Sequence, residues 1–117
     1  MKTLMVCLLL ACGAEAQSLI RQAPAKALGR TNPFAGRALA ERAGAKLFAR
    51  ECSACHGVGG KNAPPLAQRE VYEAALGALF WVLKNGSVWR GMPSFAHLPE
   101  PQRWQIIAYL QETSYIK

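Results

Sequence analysis

Apolar residues of this chain fall into three stretches at helical spacing, separated by segments rich in glycine and proline. Between Arg37 and Glu51, Leu39, Ala40, Ala43, Leu47 and Phe48 recur three and four residues apart, which predicts an amphipathic helix. A second helix is predicted from about Val71 to Lys84, carrying Leu76, Leu79, Phe80, Val82 and Leu83. Asn85-Gly86 is its natural stop, because both residues tolerate positive φ at a helix end. The third spans about Pro99 to Thr113, with Pro101 compatible with a first turn and Ile106, Ile107, Tyr109 and Leu110 on the buried side. Gly57, Gly59, Gly60, Asn62, Pro64 and Pro65 mark an extended loop, and a second loop from Ser87 to Leu98 contains Gly91-Met92-Pro93. No strand, internal repeat or low-complexity tract stands out, so the fold class read from the pattern is all-α.

Candidate chemistry sits where the first helix ends. Cys52-Ser53-Ala54-Cys55-His56 is a C-x-x-C-H pentad, the pattern of covalent attachment for a c-type haem. Cysteines at i and i+3 share one side of a helical turn, where both thiols reach the two vinyl groups of one porphyrin. His56 then offers an imidazole nitrogen to the iron. Two other readings of the cysteine pair stand beside this one. Half of a zinc site would want a further Cys or His pair downstream, and after His56 the chain offers only His97. A thioredoxin-like dithiol would want a strand before it and an α/β pattern around it.

The opposite face of the iron needs a ligand or stays open. Met92 is the only methionine outside the first few residues, and it lies in a loop rather than on a helix face. Gly91 and Pro93 flank it, the first permitting close backbone approach and the second restricting the chain just beyond. A thioether favours ferrous iron and raises the reduction potential. His97 is the alternative ligand, with a surface or neighbouring role as its ordinary expectation.

A length of 117 residues bounds the chain to one domain with room for a targeting segment. Residues 1–16 read as that segment: Lys2, an apolar run from Leu4 to Ala11, and Ala14-Glu15-Ala16 as a cleavage site. The rival reading is a lipoprotein signal, Leu9-Leu10-Ala11-Cys12, processed before Cys12, which would then carry a lipid. Both make the protein exported, periplasmic or the equivalent, and both leave Cys52 and Cys55 as the domain's own cysteines. Residues 17–36 read as a basic linker or loosely held extension, and residues 37–117 as the domain.

The net charge of +7 is unevenly placed. Arg21, Lys26, Arg30, Arg37, Arg42, Lys46 and Arg50 face only Glu41 between Gln17 and Arg50, whereas the charges beyond nearly cancel. Such a field steers a protein toward an acidic partner or an anionic membrane surface, or it is simply a solvated face. Beyond Phe34 and Phe48, no aromatic residues are interleaved with these charges, so no nucleic-acid site is indicated.

Pentad, ligand loop and helices together resemble the class I mono-haem c-type cytochromes in their short bacterial form, over roughly Gly36 to Thr113. Gly44 and Phe48 match the family's small and aromatic positions on the first helix, and Ile106 and Tyr109 the partner positions on the last, so the resemblance implies that these helices cross in close contact. Pro65, or Pro64 beside it, is similar to the proline whose carbonyl accepts a hydrogen bond from the haem histidine. Gly91-Met92-Pro93-Ser94-Phe95 is close to the family's ligand loop. The implied fold is a small cytochrome c fold, three to four helices packed around one covalently attached haem c, with Cys52, Cys55, His56, Met92 and Pro65 as cofactor-binding residues and His56 and Met92 on the iron. On that ligation the protein is an electron carrier and not an enzyme. Trp81, Trp89, Lys84 and Arg90 could meet the haem or its propionates, with plain packing and surface charge as their alternatives. Redox donors and acceptors are the expected partners, the surroundings of Phe80-Trp81-Val82 and Met92 resembling cytochromes that serve quinoprotein dehydrogenases or terminal oxidases. A fixed subunit of such a complex is one alternative to a free carrier. A peroxidase-like or gas-binding protein with an open iron site is another, and it would take up carbon monoxide where a carrier resists it. So short a domain gathers little core of its own, so the haem-free protein is expected to be poorly folded.

Overall fold

The computed structural model describes residues 19–56, 66, 69–87, 91–113 and 116. Among the described residues a 3-10 turn, Leu19–Gln22, precedes six α-helical segments: α1 (Ala25–Leu28), α2 (Ala38–Glu51), α3 (Ser53–His56), α4 (Arg69–Glu73), α5 (Leu76–Asn85) and α6 (Glu100–Glu112). Among the described residues there is no sheet. The only β-type pairing there is an isolated antiparallel bridge between Ser87 and Met92.

The longest helices, α2 and α6, form the principal pair. α2 is rich in alanine, with Glu41 in its first turn and Arg50 in its last, an arrangement that complements the helix dipole. Its crossing with α6 is set by Gly44: a Cβ there would stand 1.9 Å from the carbonyl oxygen of Gln105. One turn on, the Phe48 and Tyr109 rings meet with centroids 5.3 Å apart and planes tilted by 50°. Ile106 and Ile107 lie fully buried behind them. Of the four positions expected to meet across this pair, Gly44, Phe48 and Tyr109 do, and Ile106 is buried in the same core.

Leu39, expected on the apolar stripe, is 78% exposed; the buried face of α2 is Ala40, Gly44 and Leu47. Leu39 stands about 100° around the helix from Ala40, which turns it from α6 toward solvent. Arg42, Lys46 and Arg50, four residues apart, share that exposed outer face.

The helix predicted over Val71 to Lys84 is two, broken at Ala74-Ala75, where Ala75 takes extended backbone angles (φ −62°, ψ 137°) and caps α5. Neither alanine opposes helix on local grounds. The break appears in tertiary packing, with Val71 entering the core from α4 and Phe80 and Leu83 from α5. α5 stops at Asn85 and α6 begins after Pro99 with Pro101 in its first turn, as the sequence predicts.

Residues 19–36 of the segment read as a linker or loosely held extension are laid across α5 and α6. A Cβ on Gly77 would meet the carbonyl oxygen of Ala27 at 1.7 Å, so α1 and α5 touch backbone to backbone. The buried Asn32 side chain donates to the carbonyl of Trp104 and to Oε1 of Gln111, both at 3.0 Å, and its Oδ1 accepts from the Phe34 amide at 2.9 Å. Arg30 forms an ion pair with Glu100 at the start of α6. Its guanidinium also lies 4.6 Å over the Phe80 ring and 5.5 Å over Trp104. Phe80 and Trp104 are themselves stacked, 4.0 Å apart and 10° from parallel. The buried Arg103 packs over Phe80 from 4.8 Å while its Nε donates to the Leu98 carbonyl.

No helix among the described residues is long and apolar enough to cross a membrane.

Candidate haem site

The pentad rides on a continuation of α2. Cys52 ends that helix with its amide donating to the Phe48 carbonyl at 2.8 Å, at φ −117° and ψ −34°. The chain then makes one more turn, α3, in which the amides of Cys55 and His56 both donate to the Cys52 carbonyl, at 3.2 and 2.9 Å. Ser53 Oγ donates to the carbonyl of Ala49 at 2.6 Å and ties the two helices together. Both thiols and the imidazole therefore belong to one turn anchored on the helix that packs against α6.

Cys52 is buried within the apolar core and Cys55 is half-buried, both as free thiols. Burial, then the negative charge of Glu51, then Cys55, push the Cys52 thiol up to about 11. At neutral pH it is thus a protonated thiol, an inert partner for solvent oxidants and an apolar group in the core. His56 is half-buried at the end of the turn.

Met92 comes from the far side of the chain and packs against the same apolar cluster that contains Cys52. Its backbone is held on both sides. Met92 exchanges two hydrogen bonds with Ser87, at 2.8 and 3.0 Å. Beyond it, the Phe95 amide donates to the Leu83 carbonyl at 2.8 Å and Ser94 Oγ to the Lys84 carbonyl at 2.6 Å. Those are carbonyls of the last turn of α5, which have no partner inside the helix. The methionine segment is therefore the C-terminal cap of α5. Gly86 makes this possible, with φ 58° and ψ −161°, angles open essentially to glycine alone. Gly91, at φ 76°, turns the chain into Met92.

The structure places Cys52, Cys55 and His56 along one turn, and Cys52 belongs to the apolar cluster against which Met92 also packs. Pro65, Pro64, Trp89 and Arg90 lie outside the described residues. His97 is exposed, its ring tilted against buried Phe95 with centroids 6.0 Å apart. Trp81 is half-buried and its carbonyl accepts from the Asn85 side chain at 2.8 Å; Lys84 is exposed. Among the described residues no group of three or more His, Cys, Asp or Glu comes together, so the zinc reading of the cysteine pair finds no further ligands there. Two cysteines one turn apart as covalent anchors, with an adjacent imidazole and a thioether as donors, are the groups that a c-type haem takes, and the residues fit that group.

Sequence reasoning missed Trp104, Asn32 and Arg103. Trp104 lay in plain view, three residues before Ile107 on the same helix, and the apolar stripe read one turn further back would have included it.

Residues 39–110 match the model of a family described as cytochrome c oxidase, cbb3-type, subunit III. No curated protein and no solved structure matches the chain.

Proposed function

As the family match spans more than half of its length, the chain belongs to the cytochrome c domains of the cbb3-type oxidase subunit III family, and from that membership we propose an exported one-electron carrier with a single haem c on Cys52 and Cys55, ligated by His56 and Met92. The observation that carries the reading is the convergence of Cys52 and Met92, 40 residues apart in the chain, on one apolar cluster. A haem bound there supplies exchange of one electron between ferric and ferrous iron. Cys52 and Cys55 fix its place through one turn of helix, and His56 presents its imidazole from the same turn. The proposal includes Pro65 as the acceptor that orients the His56 ring. Met92 approaches from the α5 cap, and its soft thioether favours the ferrous state. With His56 and Met92 both given to the haem iron, the chain would offer no open coordination site to a substrate, which is the arrangement of a carrier. Donor and acceptor meet such a protein through small, weak contacts that suit rapid turnover. The exposed Arg42, Lys46 and Arg50 on α2 suit an acidic partner or an anionic membrane surface.

Membership in an oxidase-subunit family favours one second reading, a fixed cytochrome subunit of a terminal oxidase; a quinoprotein dehydrogenase is the other complex the sequence suggests. Purification from membranes separates these readings, since a subunit travels with its large redox partner and a free carrier leaves alone. The intact mass of the exported protein tests the rest of the proposal. We expect the mass of a chain cleaved after Ala16, or at Cys12 with added lipid, plus one haem. A mass without haem would contradict it.

A further inference from the structure

We propose that Gly86 is a positioning residue for Met92: it lets the end of α5 hold the segment that carries the proposed thioether ligand. The inference rests on the proposed His56/Met92 ligation and deepens it. Three observations meet at this glycine. Its backbone angles, φ 58° and ψ −161°, lie where side-chain-bearing residues are strongly disfavoured. A Cβ built on it would stand 2.5 Å from the Pro93 carbonyl oxygen, 2.6 Å from the Pro93 carbonyl carbon and 2.7 Å from the Met92 carbonyl oxygen. All three are backbone atoms of the segment that carries the proposed ligand, so no side-chain rotation relieves the overlap.

The surrounding bonds decide where the displacement goes. α5 is held by its own packing, with Phe80, Val82 and Leu83 buried. The methionine segment is held to it by the Ser87–Met92 exchange, by Phe95 on Leu83 and by Ser94 on Lys84. A side chain at position 86 therefore drives the Met92–Pro93 peptide outward and strains those four bonds, not the core. Cys52 at the end of α2, and Cys55 and His56 on α3, are not among the atoms that a side chain at Gly86 would meet. The expected lesion is one-sided: attachment and the His56 side intact, the Met92 side loosened.

The test uses the haem-loaded protein and the far-red absorption band by which oxidised methionine–iron ligation is seen. Gly86→Ala is expected to lose most of that band while keeping covalent haem. Its ferrous form takes up carbon monoxide more tightly in proportion to the open fraction, about tenfold for a tenfold rise in that fraction. Ser94→Ala, which removes the hydroxyl that donates to the Lys84 carbonyl and accepts from the Ala96 amide, should weaken the band by less, and Ser94→Thr should restore it. This pair keeps the test decisive if Gly86→Ala fails to mature. Asn32→Ala serves as the control for general destabilisation: it removes two bonds between the N-terminal segment and α6, lowers the thermal midpoint and leaves the band unchanged. A full-intensity band in Gly86→Ala, or in Ser94→Ala should Gly86→Ala fail to mature, with Met92→Ala lacking the band, would overturn the positioning role while leaving the ligation standing. A wild-type protein without the band would overturn Met92 as ligand and this role with it.

Discussion

Glu100 shows how much of the N-terminal segment's attachment depends on single side chains. Hydrogen bonding from Arg30 holds its carboxyl below the ordinary carboxylate value, with the Arg30 charge, a bond from Trp104 and the Arg103 charge acting the same way. Because the folded group titrates lower than the unfolded one, its contribution to stability is complete above pH 4.5 and is lost as pH falls through the folded value. The pair is exposed and screened, so it acts locally, at the seam between the N-terminal segment and α6. Amide exchange around Ala27 to Asn32 is therefore expected to accelerate as pH is lowered below 4.5, after correction for intrinsic exchange. Glu100→Gln should remove that step, and an identical acid response in the variant would refute the assignment. At this scale the sequence was legible where chemistry is local: a pentad of five neighbours carries its own meaning. Asn32 and Gly86 were not legible. Asn32 finds its acceptors 72 and 79 positions away, and Gly86 reads as a simple helix stop until Pro93 is seen lying against it.

Elements were legible in proportion to their periodicity. α2, α5 and α6 were marked by apolar residues at helical spacing, and their ends by Asn85-Gly86 and Pro99. The helix break at Ala74-Ala75 and the docking of residues 19–36 were not, since both arise from packing between elements and leave no local signature. The α2–α6 crossing is the element-scale feature with the sharpest consequence. A methyl group at Gly44 has no room beside the Gln105 carbonyl, and its other close neighbour, the Tyr109 Cβ at 3.0 Å, cannot rotate away. Gly44→Ala should therefore destabilise the haem-loaded protein by about 1–3 kcal/mol, the usual cost of overpacking. In a domain of this size that lowers the thermal midpoint by roughly 4–8 °C per kcal/mol. Circular dichroism melts would show it; an unchanged midpoint would mean the two helices can slide apart at no cost.

For the whole molecule, the sequence conveyed the fold class and the chemistry together because the cofactor's anchors are contiguous. Cys52, Cys55 and His56 are fixed by one helical turn, so their spacing alone reports their geometry. Met92 could be nominated by elimination, but how it is held could not, because the α5 cap is built from residues on both sides of a loop. The resulting arrangement is asymmetric. One side of the site is carried by α2 and its continuation, packed on α6 through Gly44 and Phe48. The other is carried by the end of α5, closed by Ser87, Ser94 and Phe95. In the proposed ligation these two halves close on a single iron, His56 from one and Met92 from the other. The decisive measurement is the far-red absorption of the oxidised, purified protein, recorded beside Met92→Ala. A methionine–iron band is expected in the wild type and should be abolished by the substitution. A wild-type spectrum without that band, or one that Met92→Ala leaves unchanged, would contradict that ligation.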